Sequence, residues 1–233
     1  FMKKVNVSII LYQNKKELPV KVLNSFLNIK LQVKIYLIDY SPNDELKSLK
    51  DLDNRIEYIF NNAYLGFGKA HNIALRKSIE EDIPYHLVLN PDVYFDEGVL
   101  EDLYDFMEKN PDVRLVMPKV LYPNGEIQYV CKLLPTPFDL FGRRFLNFRL
   151  FKNYIEKRNE NCELRFTGYN KIMEVPYLSW RFMFIKKCID KNFTFQGIED
   201  SKFVIWRLID KKWKTLTFSM RSNAMEEFEK KIK

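Results

Sequence analysis

Cysteine, histidine and glycine are all scarce in this chain of 233 residues, and each scarcity removes a class of chemistry. Cys131, Cys162 and Cys188 are odd in number, widely spaced and never arranged as CxxC, so no disulfide framework organises the fold. With His71 and His86 as its two histidines, the chain is short of ligands for a Cys/His zinc site. The seven glycines nowhere fall into the GxGxxG spacing of a dinucleotide fingerprint. No apolar run approaches the ~20 residues that span a bilayer, and the opening residues do not read as a secretory signal. A reduced, cytoplasmic protein with buried thiols is the expectation, and any membrane contact is a peripheral one.

Apolar and basic residues are plentiful. Hydrophobic residues make up 46% of the chain, including 19 Phe and 13 Tyr, enough for a sizeable core. A compact chain of this length buries roughly 70% of its extended surface. The net charge of +7 and pI near 9.1 suit nucleic acid, anionic lipid or phosphorylated substrates alike. The basic residues are spread rather than gathered in a recognised module, so nucleic acid is not the expected partner.

Along the chain, strand and helix patterns alternate. Val5–Leu11 is an apolar, β-branched run, as expected of a strand buried on both faces. Leu18, Val22, Leu23 and Phe26 follow at helical spacing, with Pro19 in the first turn. Val33–Ile38 and Ile56–Phe60 read as strands, Gly68–Ile79 as a helix and Leu87–Leu89 as a fourth strand. Val99, Leu100, Leu103, Phe106 and Met107 mark a helix stopped by Asn110-Pro111, before a strand at Arg114–Met117. Pro123-Asn124-Gly125 signals a hairpin. This alternation predicts an α/β fold with a mainly parallel sheet flanked by helices.

Order weakens between Leu133 and Asn170. There Phe138, Phe141, Phe145, Phe148 and Phe151 alternate with Arg143, Arg144, Arg149 and Lys152, a pattern equally suited to a membrane interface and to a core-facing helix. Val175–Lys187 resumes strand character, Glu199-Asp200 precedes a helix through Leu208, and Lys214–Phe218 reads as a last strand. Residues 222–233 form a tail of unknown role.

The stretch from Asn61 to Asp96 carries most of the functional signal. Gly66 and Gly68 either let backbone approach a ligand or only shape a helix entry, and helix N-termini offer free N–H groups to anions. Asn72 sits one turn further on, whereas His71 reads as a packed or surface residue and not as a ligand. Asp92 follows a strand, the place where open α/β sheets put their ligand chemistry, and can supply one carboxylate to a hard divalent cation on a diphosphate. Asn90 adds an oxygen or shapes the turn, while Asp96 and Glu97 suit the cap of the next helix. Asp39 can bind a base or ribose, or simply cap the Asp-x-Ser-Pro turn. Glu199 and Asp200 can act as base toward a hydroxyl, or only complement a helix dipole.

In order and spacing, VSIILY at 7–12, LIDYS at 37–41, NAYLGFGKAHNIAL at 62–75, LVLNPDV at 87–93, PYLSWRFMFIKK at 176–187 and IED at 198–200 resemble the family 2 glycosyltransferases. The similarity is to the rhamnosyltransferase-like enzymes of bacterial polysaccharide biosynthesis. It implies a GT-A (Rossmann-like) domain over residues 1–221, with a nucleotide-binding half to about 130 and an acceptor half beyond. It implies inverting transfer from a dTDP- or UDP-sugar, with Mg²⁺ or Mn²⁺, to a glycan or lipid-linked glycan at the inner membrane face. Tyr12, Asp39, Gly66, Phe67, Gly68, Asn72, Asn90 and Trp180 would line the donor site, Asp92 would hold the metal, and Asp200 with Glu199 would supply the base. Tyr40 and Trp180 depart from the Asn and Gly usual in such enzymes, and the histidine that often assists the metal is missing. An inactive GT-A module that binds glycan or a partner enzyme is the alternative.

Overall fold

The computed structural model describes residues 3–63, 66–133, 152–175, 177–187 and 214–218. Its elements begin with β1 (Lys4–Leu11), α1 (Glu17–Asn24), β2 (Gln32–Asp39), a 3-10 helix (Glu45–Leu52), β3 (Ile56–Phe60), α2 (Phe67–Glu80), β4 (Tyr85–Leu89), α3 (Val99–Lys109) and β5 (Val113–Pro118). There follow β6 (Cys131–Lys132), α4 (Lys152–Cys162), a 3-10 turn (Arg165–Thr167), β7 (Met173–Glu174), β8 (Tyr177–Leu178), β9 (Phe182–Lys186) and β10 (Lys214–Phe218). The described residues divide into two compact units, 3–116 with 180–187 and 117–179 with 214–218.

The first unit is built on six strands in the order β3–β2–β1–β4–β9–β5. β1 pairs in parallel with β2 and β4, and β2 with β3, as the alternating pattern predicts. β9 then runs antiparallel between β4 and β5, with Leu89 opposite Phe182. The run through Lys187 is thus two strands, β8 and β9, with Trp180 and Arg181 in the turn between them. The sheet also reverses its winding at β1. The chain steps outward through β2 and β3, and α2 carries it back to β4 on the other side. A crevice at the carboxyl ends of β1 and β4 follows from that reversal.

Both faces of the sheet are covered. Tyr36, Ile38 and Tyr40 pack with Ala70 and Ala74 of α2 on one face. On the other, Tyr85 stacks on Phe184 at 5.2 Å and meets Tyr104 of α3 at 4.6 Å, while Phe95 bridges Phe26 and Phe182. The charged segment of the 3-10 helix contributes Leu46 and Leu49 to the interior. Asp96 and Glu97 do not cap α3: Gly98 takes that position at φ +88°, with no side-chain bond.

In the second unit the expected hairpin forms around Gly125, at φ +85°, with Leu121 bridged to Ile127. β6 pairs with β8 and β7 with β10, both antiparallel. The buried Tyr169 hydroxyl accepts from the Cys131 N–H at 3.0 Å and reaches the Glu163 carbonyl at 2.8 Å. Helix α4 forms where no apolar periodicity announces it. The aromatic–basic stripe Phe138–Phe151 and the helix expected after Asp200 lie outside the described residues, as does the tail 222–233.

A buried polar network crosses the α2 face of β1. Ser78 Oγ bonds the Ala74 carbonyl (3.0 Å), Asn6 Nδ2 (3.0 Å) and His86 Nδ1 (2.8 Å); Ser8 Oγ bonds His86 Nε2 (2.8 Å) and His71 Nδ1 (2.7 Å). Counting donors fixes every direction. Ser78 gives its single proton to the carbonyl, so it accepts from His86 Nδ1–H. A neutral His86 then accepts at Nε2 from Ser8, which in turn accepts from His71 Nδ1–H. Burial disfavours charge on both rings, pushing His71 well below its ordinary range and His86 down to about 3.

The unfolded chain protonates these rings near pH 6.5 and the folded chain refuses the proton, so their contribution is complete above pH 6.5 and is lost as pH falls toward about 3. Each histidine held neutral should add roughly 1.4 kcal/mol per pH unit to the decline. Urea unfolding between pH 6 and pH 4 should therefore show a shallower pH dependence in His86→Gln than in the wild type. Parallel profiles would contradict the assignment.

Candidate functional site

Five chain segments converge on the carboxyl ends of the parallel strands: Tyr12 after β1, Asp39 closing β2, Gly66-Phe67 opening α2, Asn90–Asp92 after β4, and the turn before β9. The loops after β1 and β2 are tied together. Tyr40 N–H reaches the Leu11 carbonyl at 2.9 Å, Gln13 N–H reaches Ser41 Oγ at 2.8 Å, and the half-exposed Tyr12 anchors its N–H on Asn14 at 2.8 Å.

Asp39 is fully buried. Its Oδ1 accepts the Ser41 N–H at 2.8 Å, the Asx-turn chemistry, and its Oδ2 accepts the Tyr58 hydroxyl at 2.7 Å. Burial and the adjacent carboxylate together push the Tyr58 phenol upward. Both oxygens thus have structural partners, and Tyr58 was not visible as one of them in the sequence. Tyr40, the residue after it, is a core side chain.

Gly66 adopts φ +78° and ψ 162°, a region open to glycine and strained for any residue with a Cβ. An added Cβ there meets nothing within 4 Å, so the requirement is conformational, not steric. It turns the chain sharply into α2, whose first turn carries no acid and no side-chain cap. That leaves the positive end of the helix available to an anion. Gly68 and Asn72 are buried in the first two turns. The Phe67 ring lies edge-on to His71 at 4.3 Å and to Trp180 at 5.2 Å.

Pro91 and Asp92 occupy the middle of a turn closed by Val93 N–H to the Asn90 carbonyl at 3.2 Å. Asn90 N–H extends the β4–β9 ladder by one bond, to the Arg181 carbonyl at 3.0 Å. Asp92 Oδ2 then lies 3.8 Å from Arg181 Nη1, with side chains 49% and 39% exposed, respectively. Arg181 was missed in the sequence because it stands inside an apolar run. Glu199 and Asp200 lie outside the described residues.

Among the described residues no cluster of three or more His, Cys, Asp or Glu side chains forms a complete metal cage. The lone exposed Asp92, with Asn90 beside it, fits a hard cation that draws its other oxygens from a bound diphosphate and water.

The profile described as "Glycosyl transferase family 2" matches residues 7–166. The chain belongs to glycosyltransferase family 2. No curated protein matches its sequence. A crystal structure of GalNAc-T7 with UDP, GalNAc and Mn²⁺ superposes with TM-score 0.56 at 14% identity, covering 92% of this chain and 41% of the other. Two structures of S. aureus TarS, one of them residues 1–349 with UDP, give TM-scores of 0.45 and 0.46 at 20% and 18% identity. They cover 53% and 59% of this chain. The chain spans 22% to 44% of the length of these structures. The fold of this family 2 member is GT-A.

Two substitutions test the site's architecture. Asp39→Ala strands a buried N–H and a partly buried hydroxyl and should cost about 1–3 kcal/mol in urea unfolding; Asp39→Asn should cost less, since the Tyr58 hydroxyl can rotate to accept. Gly66→Ala should cost roughly 1–3 kcal/mol, entirely from backbone strain. A neutral Gly66→Ala would mean that the turn relaxes freely into another conformation.

Proposed function

We propose that this family 2 chain transfers a sugar from a nucleoside diphosphate donor to a hydroxyl of a glycan or lipid-linked glycan. The convergence of Asn90–Asp92, the α2 N-terminus and the β1 and β2 loops on the winding reversal is the observation that supports this reading. Such a crevice receives a ligand beyond the strand ends, and the uncapped start of α2 favours its negative charge.

Asp92, with Asn90, would hold Mg²⁺ or Mn²⁺, which when bound offsets charge on the departing diphosphate. The acceptor oxygen attacks the anomeric carbon, the bond to the diphosphate breaks on the opposite side, and configuration inverts. The acceptor's proton passes to Asp200, with Glu199 beside it. Tyr12 and Asp39 border the nucleoside end, Gly66, Gly68 and Asn72 the helix end, and Phe67 and Trp180 the sugar end. A dTDP- or UDP-sugar is the donor class, rhamnose the sugar that the motifs suggest, and bacterial polysaccharide assembly at the inner membrane face the setting.

The Trp180–Phe67 pair favours a second reading, a binding module without turnover, because an indole there narrows the space beside the donor. Thermal shifts with UDP-, dTDP- and GDP-sugars, with and without Mn²⁺, separate the possibilities, since a ligand that binds only the folded state raises its melting temperature. A catalyst should show a Mn²⁺-enhanced shift that Asp92→Ala removes, and donor hydrolysis or transfer that Asp200→Asn lowers by at least about a hundredfold with the fold kept. Shifts without turnover on any donor would select the binding module.

A further inference from the structure

The carboxylate best placed for a cation already has one within the chain. We infer that Arg181 is a built-in anchor for the donor's diphosphate, so that nucleotide binding depends only weakly on divalent metal. The inference rests on the donor-binding reading above and adds to it the group that carries the charge.

The geometry is specific to the turn before β9. The Asn90 N–H holds the Arg181 carbonyl at 3.0 Å, which fixes the arginine's backbone directly across from the Asn90–Val93 turn. On the other flank, Trp180 is held edge-on against Phe67 at 5.2 Å, so the residue before Arg181 is anchored to the first turn of α2. Arg181 therefore projects from a short, doubly tethered segment, and its guanidinium reaches the rim where Asp92 stands, 3.8 Å away.

At that separation the pair is loose. Both side chains are substantially exposed, and half-exposed ion pairs of this kind contribute little net stability because water solvates the separated charges almost as well. A diphosphate offers the guanidinium more: two charged oxygens in a plane that its forked N–H groups match. Exchanging Asp92 for a diphosphate oxygen thus costs little and gains bidentate, charge-assisted bonds. Asp92, so released, would be the residue to hold a divalent cation, which would supply further positive charge beside the diphosphate. Arg181 and the metal thereby share one task, and with the arginine already in place the metal's share is reduced.

Calorimetric titration with UDP, dTDP and GDP, each in EDTA and in Mn²⁺, tests this on the full chain. The wild type should bind its preferred nucleotide in EDTA within about tenfold of its affinity in Mn²⁺. Arg181→Ala should weaken binding in EDTA by at least about tenfold and enlarge the Mn²⁺ effect, while Arg181→Lys retains part of the metal-free affinity as a point charge without the fork. Asp92→Asn should strengthen binding in EDTA, because it frees the guanidinium and removes a repelling carboxylate, while abolishing the Mn²⁺ enhancement. Wild-type binding that is absent in EDTA, or unchanged in Arg181→Ala, overturns the anchor and leaves the donor-binding reading intact. Failure of all three nucleotides to bind the wild type in either condition sinks both.

Discussion

One buried hydroxyl joins the three elements on which the site is built. Ser8 Oγ on β1 touches His71 on α2 and His86 on β4, at 2.7 and 2.8 Å, and all three side chains are buried. With both rings kept neutral by burial, its single proton goes one way only, so the direction of both bonds and the seating of α2 on the sheet are specified together. A hydrophobic face alone lets a helix slide by small steps. A directional bond with unpaired alternatives penalises each step, because a stranded buried polar group costs about 1–3 kcal/mol. Since α2 carries Phe67 and Asn72 and begins at Gly66, its seating on β1 also places the candidate site.

The two aspartates at the strand ends illustrate how environment separates structural from chemical roles. Asp39 is sealed, and both of its oxygens are occupied by groups whose geometry the fold dictates. Asp92 is half exposed, with a single long contact to Arg181 among its recorded partners. A carboxylate of the first kind resists rearrangement; one of the second kind can change partners at the cost of a weak ion pair. Asp39 thus shapes the loop after β2, whereas Asp92 stands at an exposed rim where a change of partner costs little.

The parallel half of the sheet was legible because β-branched runs such as Val5–Leu11 have no other stable home, and α2 because a glycine pair precedes a 3.6-residue period. The direction of β9 was not, since a continuous apolar run such as FMFIK is the same pattern in a parallel and an antiparallel strand. The 3-10 helix was hidden by its charges, which leave just Leu46 and Leu49 to face inward. Within the site, the residues flanking Asp92 in sequence were readable, but Arg181 and Tyr58 reach Asp92 and Asp39 from other strands. Partners across a sheet depend on register, and no local spacing encodes register between strands so far apart in the chain.

The two departures from the family pattern are each supported by packing. Tyr40 stands where the resemblance implies an asparagine, and its ring packs with Tyr36, Ile38, Ala70 and Ala74, where it adds apolar area to the α2 face. Trp180 stands where the resemblance implies a glycine, and its indole is met by Phe67, which also meets His71, whose Nδ1 is bonded to Ser8. A continuous line of contacts thus runs from the buried hydroxyl on β1, through the first turn of α2, to the turn before β9, so the polar network that seats the helix also braces the segment that carries Arg181.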